Sequence, residues 1–285
     1  MKKLNVLFLL SVLSIVLFTG CSQNQMSTMV RTVGVGESAM PINAGSFAIE
    51  SFMDNATTVD NINSIDYHDW VDFAGEDLLM ESNIKDNCRY IGINGRVGFD
   101  NYTEFKLGFF IGIIDNSNNI FINVDGDNHV SYEESIVENT FTGFQLGIKR
   151  LLTDYDNPFR MSLYLEGKQI FIESGGSFVG KYDGTNTEVK SALIFGYLDD
   201  PAIRNFPSLS LYYNLANTSR KETIHGISAK RHPQAIGIEA NFNLDLGTIY
   251  VNATSGIEKE IVDETDNTII PYAAIKVGFH FMRKK

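Results

Sequence analysis

The chain has 285 residues, 44% of them hydrophobic, with 35 acidic against 23 basic side chains. That length holds one large all-β domain or two ordinary ones. A formal charge of −12 argues against nucleic acid as a partner and against docking on anionic lipid through a basic patch. Two cysteines and five unclustered histidines suggest neither a disulfide framework nor a zinc site.

The only long apolar run is the first, "MKKLNVLFLLSVLSIVLFTGC". Lys2 and Lys3 supply a positive start, and Leu4 to Phe18 form an apolar stretch too short and too terminal to span a bilayer as a helix. Residues 1–20 therefore read as a signal peptide. The ending "LFTGC" resembles a bacterial lipobox, and the resemblance implies that Cys21 becomes the acylated first residue of the mature chain. The alternative is an ordinary signal peptide with an incidental cysteine. The polar residues after Cys21 predict a flexible, lipidated tether over 21–43.

From residue 44 the dominant period is two, which predicts strands with unlike faces. Ten are expected, at about 44–53, 89–99, 102–114, 139–151, 159–172, 186–198, 207–216, 232–244, 246–256 and 269–281. In "GRVGFDNYTEFKLGFFIGI" (95–113), Val97 and Phe99 close one apolar set; Phe105, Leu107, Phe109, Ile111 and Ile113 form the next. Arg96, Glu104 and Lys106 occupy the opposite parity. A short helix is expected near "DWVDFAGEDLLMES" (69–82). The connections alternate long and short, and the runs of 10 to 14 residues exceed the ordinary soluble strand of about five or six. Both features predict an up-and-down antiparallel transmembrane β-barrel over 44–285, of ten strands (range 8–12), with short turns on one side and long loops on the other. The terminal "YAAIKVGFHF" resembles the last strand of outer-membrane β-barrel proteins, although "MRKK" follows Phe281 where that family usually ends on the aromatic. The resemblance is to an architecture over about 44–281 and implies no particular functional family. It implies export to the outer membrane, with lipid as the surrounding partner. The competing architecture is a soluble periplasmic β-sandwich lipoprotein whose apolar faces meet each other.

Extended by parity, the inward face collects Arg96, Lys106, Lys149, Arg160, Lys168, Lys190 and Lys276 against Glu50, Glu104, Glu166, Glu188 and Glu239. Mixed charge in a narrow lumen predicts a salt-bridge network, in which Arg96, Glu104, Lys106, Lys149, Arg160, Glu166, Lys190, Glu239 and Lys276 are the expected members, and a largely plugged interior. A conduit for a small solute is the alternative.

Two loops carry candidate chemistry. "NVDGDNHVSYEE" (123–134) matches calcium-loop spacing, with Asn123, Asp125 and Asp127 at the first, third and fifth positions, Ser131 at the ninth and Glu134 at the twelfth. Oxygen ligands at alternate positions would wrap a hard cation, so calcium is the one cofactor suggested. An Asp/Asn/Gly-rich turn explains the same residues without a metal. Residues 54–88 hold nine acidic residues and one lysine around Trp70, a surface for an extracellular ligand or partner, or simply a solvated loop. Ten-stranded barrels include the omptin surface proteases, but His68, His225 and His232 lie in no local signature of such an enzyme, and no nucleophile elbow or phosphate-cradling loop occurs. The expectation is a non-catalytic outer-membrane surface lipoprotein with acidic loops for a partner or divalent cation, the alternatives being the narrow channel and the soluble lipoprotein.

Overall fold

Alternating apolar and polar residues leave a sheet with one greasy face, and in hydrocarbon such a sheet must close, because an edge would strand unpaired amides. The computed structural model describes residues 32, 34–65, 79–123, 131–174, 182–197, 206–222, 228–232, 234–261 and 269–282. Its strands are β1 (Phe47–Ile65), β2 (Leu79–Asp100), β3 (Thr103–Asn123), β4 (Ser131–Leu151), β5 (Phe159–Ser174), β6 (Tyr182–Tyr197), β7 (Phe206–Glu222), β8 (Ser228–Arg231), β9 (Gln234–Asp245), β10 (Ile249–Glu260) and β11 (Ile269–Met282). Ten of them form a closed antiparallel barrel, β1 pairing β11 at the seam and β6 pairing β7. Strand β8 is a four-residue arm laid on the far end of β7.

The parity expected for 95–113 holds. Ile91, Ile93, Val97, Phe99, Phe105, Leu107, Phe109, Ile111 and Ile113 are all exposed on the outside, whereas Arg96, Glu104 and Lys106 are buried inside. A protein in water does not present so continuous an apolar band. Aromatic rings crowd the end that carries the short turns: Phe99 meets Phe105 at 6.1 Å, Phe47 meets Phe281 at 6.0 Å and Phe159 meets Phe195 at 6.2 Å. Such rings suit the bilayer interface, and in outer-membrane barrels the short turns face the periplasm.

Where the structure differs from the expected elements, polar sequence is the cause. Strands β1 to β4 run well past their apolar portions: the β1–β2 ladder reaches Ile65↔Met80 and the β3–β4 ladder reaches Ile122↔Ser131. The polar stretches "DNATTVDN" and "DNSNN" pair as strand without apolar alternation to announce it. For the same reason Leu79–Ser82, placed in the expected helix near 69–82, belongs to β2, while residues 66–78 lie outside the described set. Strand β1 starts at Phe47 rather than residue 44, because Gly45, with φ of 67°, turns the chain at the rim and is bonded there to Gly98.

Inside, rings are seated on glycines of the neighbouring strand. Phe52 faces Gly92 across β1–β2, and Tyr250 faces Gly278 across β10–β11; a Cβ on either glycine would collide with the ring. This lets bulky side chains lie against the wall of a narrow barrel. At mid-belt, Phe109→Arg should cost about 2–4 kcal/mol in urea unfolding from lipid vesicles. An unchanged midpoint would mean that this face does not meet lipid.

Candidate functional site: a strapped lumen

The barrel interior is occupied by the chain's own N-terminal segment. Of the tether expected over 21–43, the described residues are Thr32 and 34–43, and they lie inside the barrel instead of hanging free. Thr32, Val35, Glu37, Ala39, Met40, Ile42 and Ser46 are buried. This strap has no ladder partner, so its backbone groups must be satisfied by side chains of the wall. The amides of Val35 and Gly36 donate to the two carboxylate oxygens of Glu239 at 2.8 and 2.9 Å, and that of Ile42 to Glu104 at 2.8 Å. The Thr32 amide and hydroxyl both donate to Glu188, at 2.8 and 2.5 Å. In the other direction, Lys190 Nζ donates to the carbonyls of Thr32 and Gly34 at 2.5 and 2.9 Å, and Ser162 Oγ to the Ala39 carbonyl at 2.6 Å.

Glu37 is the centre of this arrangement. Its Oε1 lies 2.6 Å from Arg96 Nη2, 3.1 Å from Lys106 Nζ and 3.3 Å from Lys276 Nζ, and its Oε2 lies 3.2 Å from Lys149 Nζ. The same cations reach wall carboxylates: Arg96 meets Glu50 at 2.9 Å and Glu104 at 2.7 Å, Lys106 meets Glu166 at 2.6 Å, and Lys149 meets Glu104 at 3.3 Å. Tyrosines add hydrogen bonds to these carboxylates, Tyr250 to Glu50 at 2.8 Å and Tyr164 to Glu166 at 2.6 Å. Among the described residues seven cations and seven glutamates are buried, Glu37 among them, and the carboxylates of Asp54 and Asp245 are enclosed as well.

All nine lumen residues expected from parity are buried, yet they do not form one salt-bridge network. Arg96, Glu104, Lys106, Lys149, Glu166 and Lys276 do join around Glu37. Glu239 and Lys190 serve mainly to hold strap backbone, and Tyr272 donates to Glu239 at 2.8 Å. Arg160 stands apart: one residue from the periplasmic end of β5, it donates to the Asp154 carbonyl at 2.8 Å and lies 5.4 Å over the Tyr155 ring, under the β4–β5 turn. Glu37 itself escaped the parity argument because it sits on no strand. Its signal was arithmetic, the two-cation surplus of the inward face read from sequence.

Above the ionic layer, Phe52, Tyr90, Phe110, Phe141, Ile170 and Ile172 pack into an apolar tier inside the lumen. Small cavities lie beside the strap, one between strap and periplasmic mouth beside His280 and Asp245, another above Glu37 beside Gln145 and Lys168; Gly36 and Lys276 border both. Among the described residues no cluster of three potential metal ligands occurs. Of the calcium candidates, Asp125 and Asp127 lie outside the described residues; Asn123 pairs with Leu79 at the end of the β2–β3 ladder, Ser131 and Glu134 belong to the β3–β4 ladder, and the side chains of all three lie outside the description. Cys21, His68, Trp70 and His225 also lie outside it.

The fold, with a lipid-facing exterior and a charged, filled interior, defines the protein as an outer-membrane β-barrel. No family model matches the chain, and no curated protein matches it. Its similarities are to solved outer-membrane barrels. An outer-membrane channel from Pseudomonas putida F1 is 10% identical, with 88% of this chain and 100% of that chain covered and a TM-score of 0.47. The outer-membrane protease OmpT from Escherichia coli is 9% identical over 87% and 100%, with a TM-score of 0.46. The translocator domain of the autotransporter NalP from Neisseria meningitidis is 11% identical over 84% and 89%, with a TM-score of 0.42. Identities this low extend to architecture alone.

Removing one partner of a buried charge network leaves the others uncompensated, so Glu37→Gln should lower stability by roughly 3–5 kcal/mol in urea unfolding.

Proposed function

We propose that this barrel works at the cell surface as a rigid, non-conducting and non-catalytic scaffold whose outer loops meet a partner or a divalent cation. The observation that carries the proposal is the closed lumen. Glu37 and its four cations seat the strap across the bore, and the apolar tier from β1 to β5 lines the wall beside it. Strands that continue past the bilayer lift the loops between β1 and β2 and between β3 and β4 away from the membrane. A rigid stalk presenting acidic loops suits recognition. Calcium held through Asn123, Asp125, Asp127, Ser131 and Glu134 belongs to the same proposal. Calcium should raise the melting temperature of the wild type and leave an Asp125→Ala/Asp127→Ala variant unmoved.

A second reading has its own support. The two cavities bordered by Gly36 and Lys276 lie on either side of the strap, so a polar path exists that the strap interrupts. Displacing the strap would make the barrel a narrow conduit for small polar solutes.

Planar-bilayer conductance separates the two. The scaffold predicts a silent wild type under applied voltage. Stable channels from wild-type protein would overturn it in favour of the conduit, and voltage-dependent bursts that become permanent in Glu37→Gln would identify the strap as the gate.

A further inference from the structure

The wall reads the strap chiefly through its main chain. Glu239 on β9 accepts two consecutive amides, those of Val35 and Gly36, one on each carboxylate oxygen. Glu188 and Lys190 on β6 take the Thr32 amide and carbonyl, and Lys190 reaches the Gly34 carbonyl as well. Asn214 on β7 and Lys276 on β11 donate to the carbonyls of Thr32 and Val35, each at 3.4 Å. Ser162 on β5 donates to the Ala39 carbonyl, and Glu104 on β3 accepts the Ile42 amide. Main-chain bonds of this kind are indifferent to most side chains. Extended peptide ligands take their affinity from such bonds and their specificity from separate side-chain sites.

The lumen holds side-chain sites too. The Glu37 carboxylate enters a nest of Arg96, Lys106, Lys149 and Lys276. Val35, Ala39 and Met40 join the apolar cluster of the wall. Backbone shape fixes the register between them: Gly34 and Gly36 have φ of 74° and 60°, the left-handed region, and a Cβ on Gly34 would strike the Tyr272 ring. The lumen thus specifies a pattern, an extended segment with glycines three and one residues before a glutamate. The hydrogen bonds that seat this segment come from wall side chains, so unseating it breaks no rung of the barrel ladder. It does leave the four cations of the nest without the carboxylate that Glu37 brings.

We propose that the lumen is a receptor for an extended acidic peptide, of which the strap is the resident copy. An incoming segment offers amides to Glu239 and Glu188, carbonyls to Lys190 and Ser162, and a glutamate to the nest. The inference rests on that part of the conduit reading in which the strap leaves its seat. It deepens that reading by naming a polypeptide segment, and not a small solute, as what the bore takes.

The test uses the full chain with Gly34→Leu, folded in detergent micelles and checked by heat-modifiable gel mobility, and a fluorescent peptide of residues 32–43. Saturable binding to the variant is expected. A peptide carrying Glu37→Gln should bind about tenfold more weakly or worse, since a hydrogen bond to a charged group is worth at least that. A scrambled peptide should not compete, and the wild-type barrel, its seat filled, should bind less than the variant. Should Gly34→Leu not fold, otherwise wild-type protein bearing a protease site at Ala44, next to the exposed Gly45, is cut after folding. The labelled peptide should then exchange with the severed strap. Absence of binding to whichever form is folded, or equal binding of native and scrambled peptides, would overturn the inference. Planar-bilayer current separates it from the conduit. Steady channels in the Gly34→Leu barrel that the peptide does not block keep the conduit and overturn the receptor. A silent barrel that still binds the peptide keeps the receptor and overturns the conduit.

Discussion

Charge neutrality inside a narrow, low-dielectric bore is the constraint on which this structure depends. Cations along the inner wall cannot be solvated by bulk water once the barrel closes, and an uncompensated one costs several kcal/mol. The wall sets buried carboxylates among its cations, and the chain adds Glu37 from a segment that belongs to no strand. Glu37 meets four of those cations at once. The strap is thus held by the electrostatic need of the wall, and the wall is completed by the strap.

The other features follow from the same geometry. A small barrel with bulky inward tyrosines and phenylalanines needs places where the wall recedes, and glycines such as Gly92 and Gly278 provide them directly opposite Phe52 and Tyr250. The tyrosine hydroxyls then reach glutamates that the cations leave partly free, as Tyr250 does at Glu50 and Tyr272 at Glu239. Because carboxylates of the wall also accept the amides of Val35, Gly36 and Ile42, the strap needs no strand partner to satisfy its backbone. A closed ladder outside and a side-chain-satisfied segment inside are two solutions to one requirement, that no buried amide go unpaired.

Much of this was legible in the sequence, and the reasons are physical. Wherever a strand has lipid on one side and the lumen on the other, as over Ile91–Ile113, its alternation is unbroken and fixes both the strand and the burial of Arg96, Glu104 and Lys106. Where the sequence is polar at both parities, as in much of Asp54–Ile65 or Asp115–Asn119, the ladder continues without a pattern, so the strands came out short and Leu79–Ser82 was placed in a helix. The strap left no periodic trace either, since its contacts are individual hydrogen bonds at uneven intervals. Parity also treated Arg160 as one more network member, because it reports the face of a strand and not the depth along it. Only the surplus of inward cations pointed beyond the strands, and Glu37 is the lone carboxylate between Cys21 and Ala48 able to answer it.

The most direct test of the account is amide hydrogen exchange over residues 34–43 in the folded, lipid- or micelle-embedded protein. The seated strap predicts protection of the Val35, Gly36 and Ile42 amides approaching that of β2 and β3, lost selectively in Glu37→Gln while the strands stay protected. Exchange of those amides at the rate of an unstructured peptide in the wild type would mean that the lumen does not hold the strap, and the charge balance proposed for the bore would have to be found elsewhere.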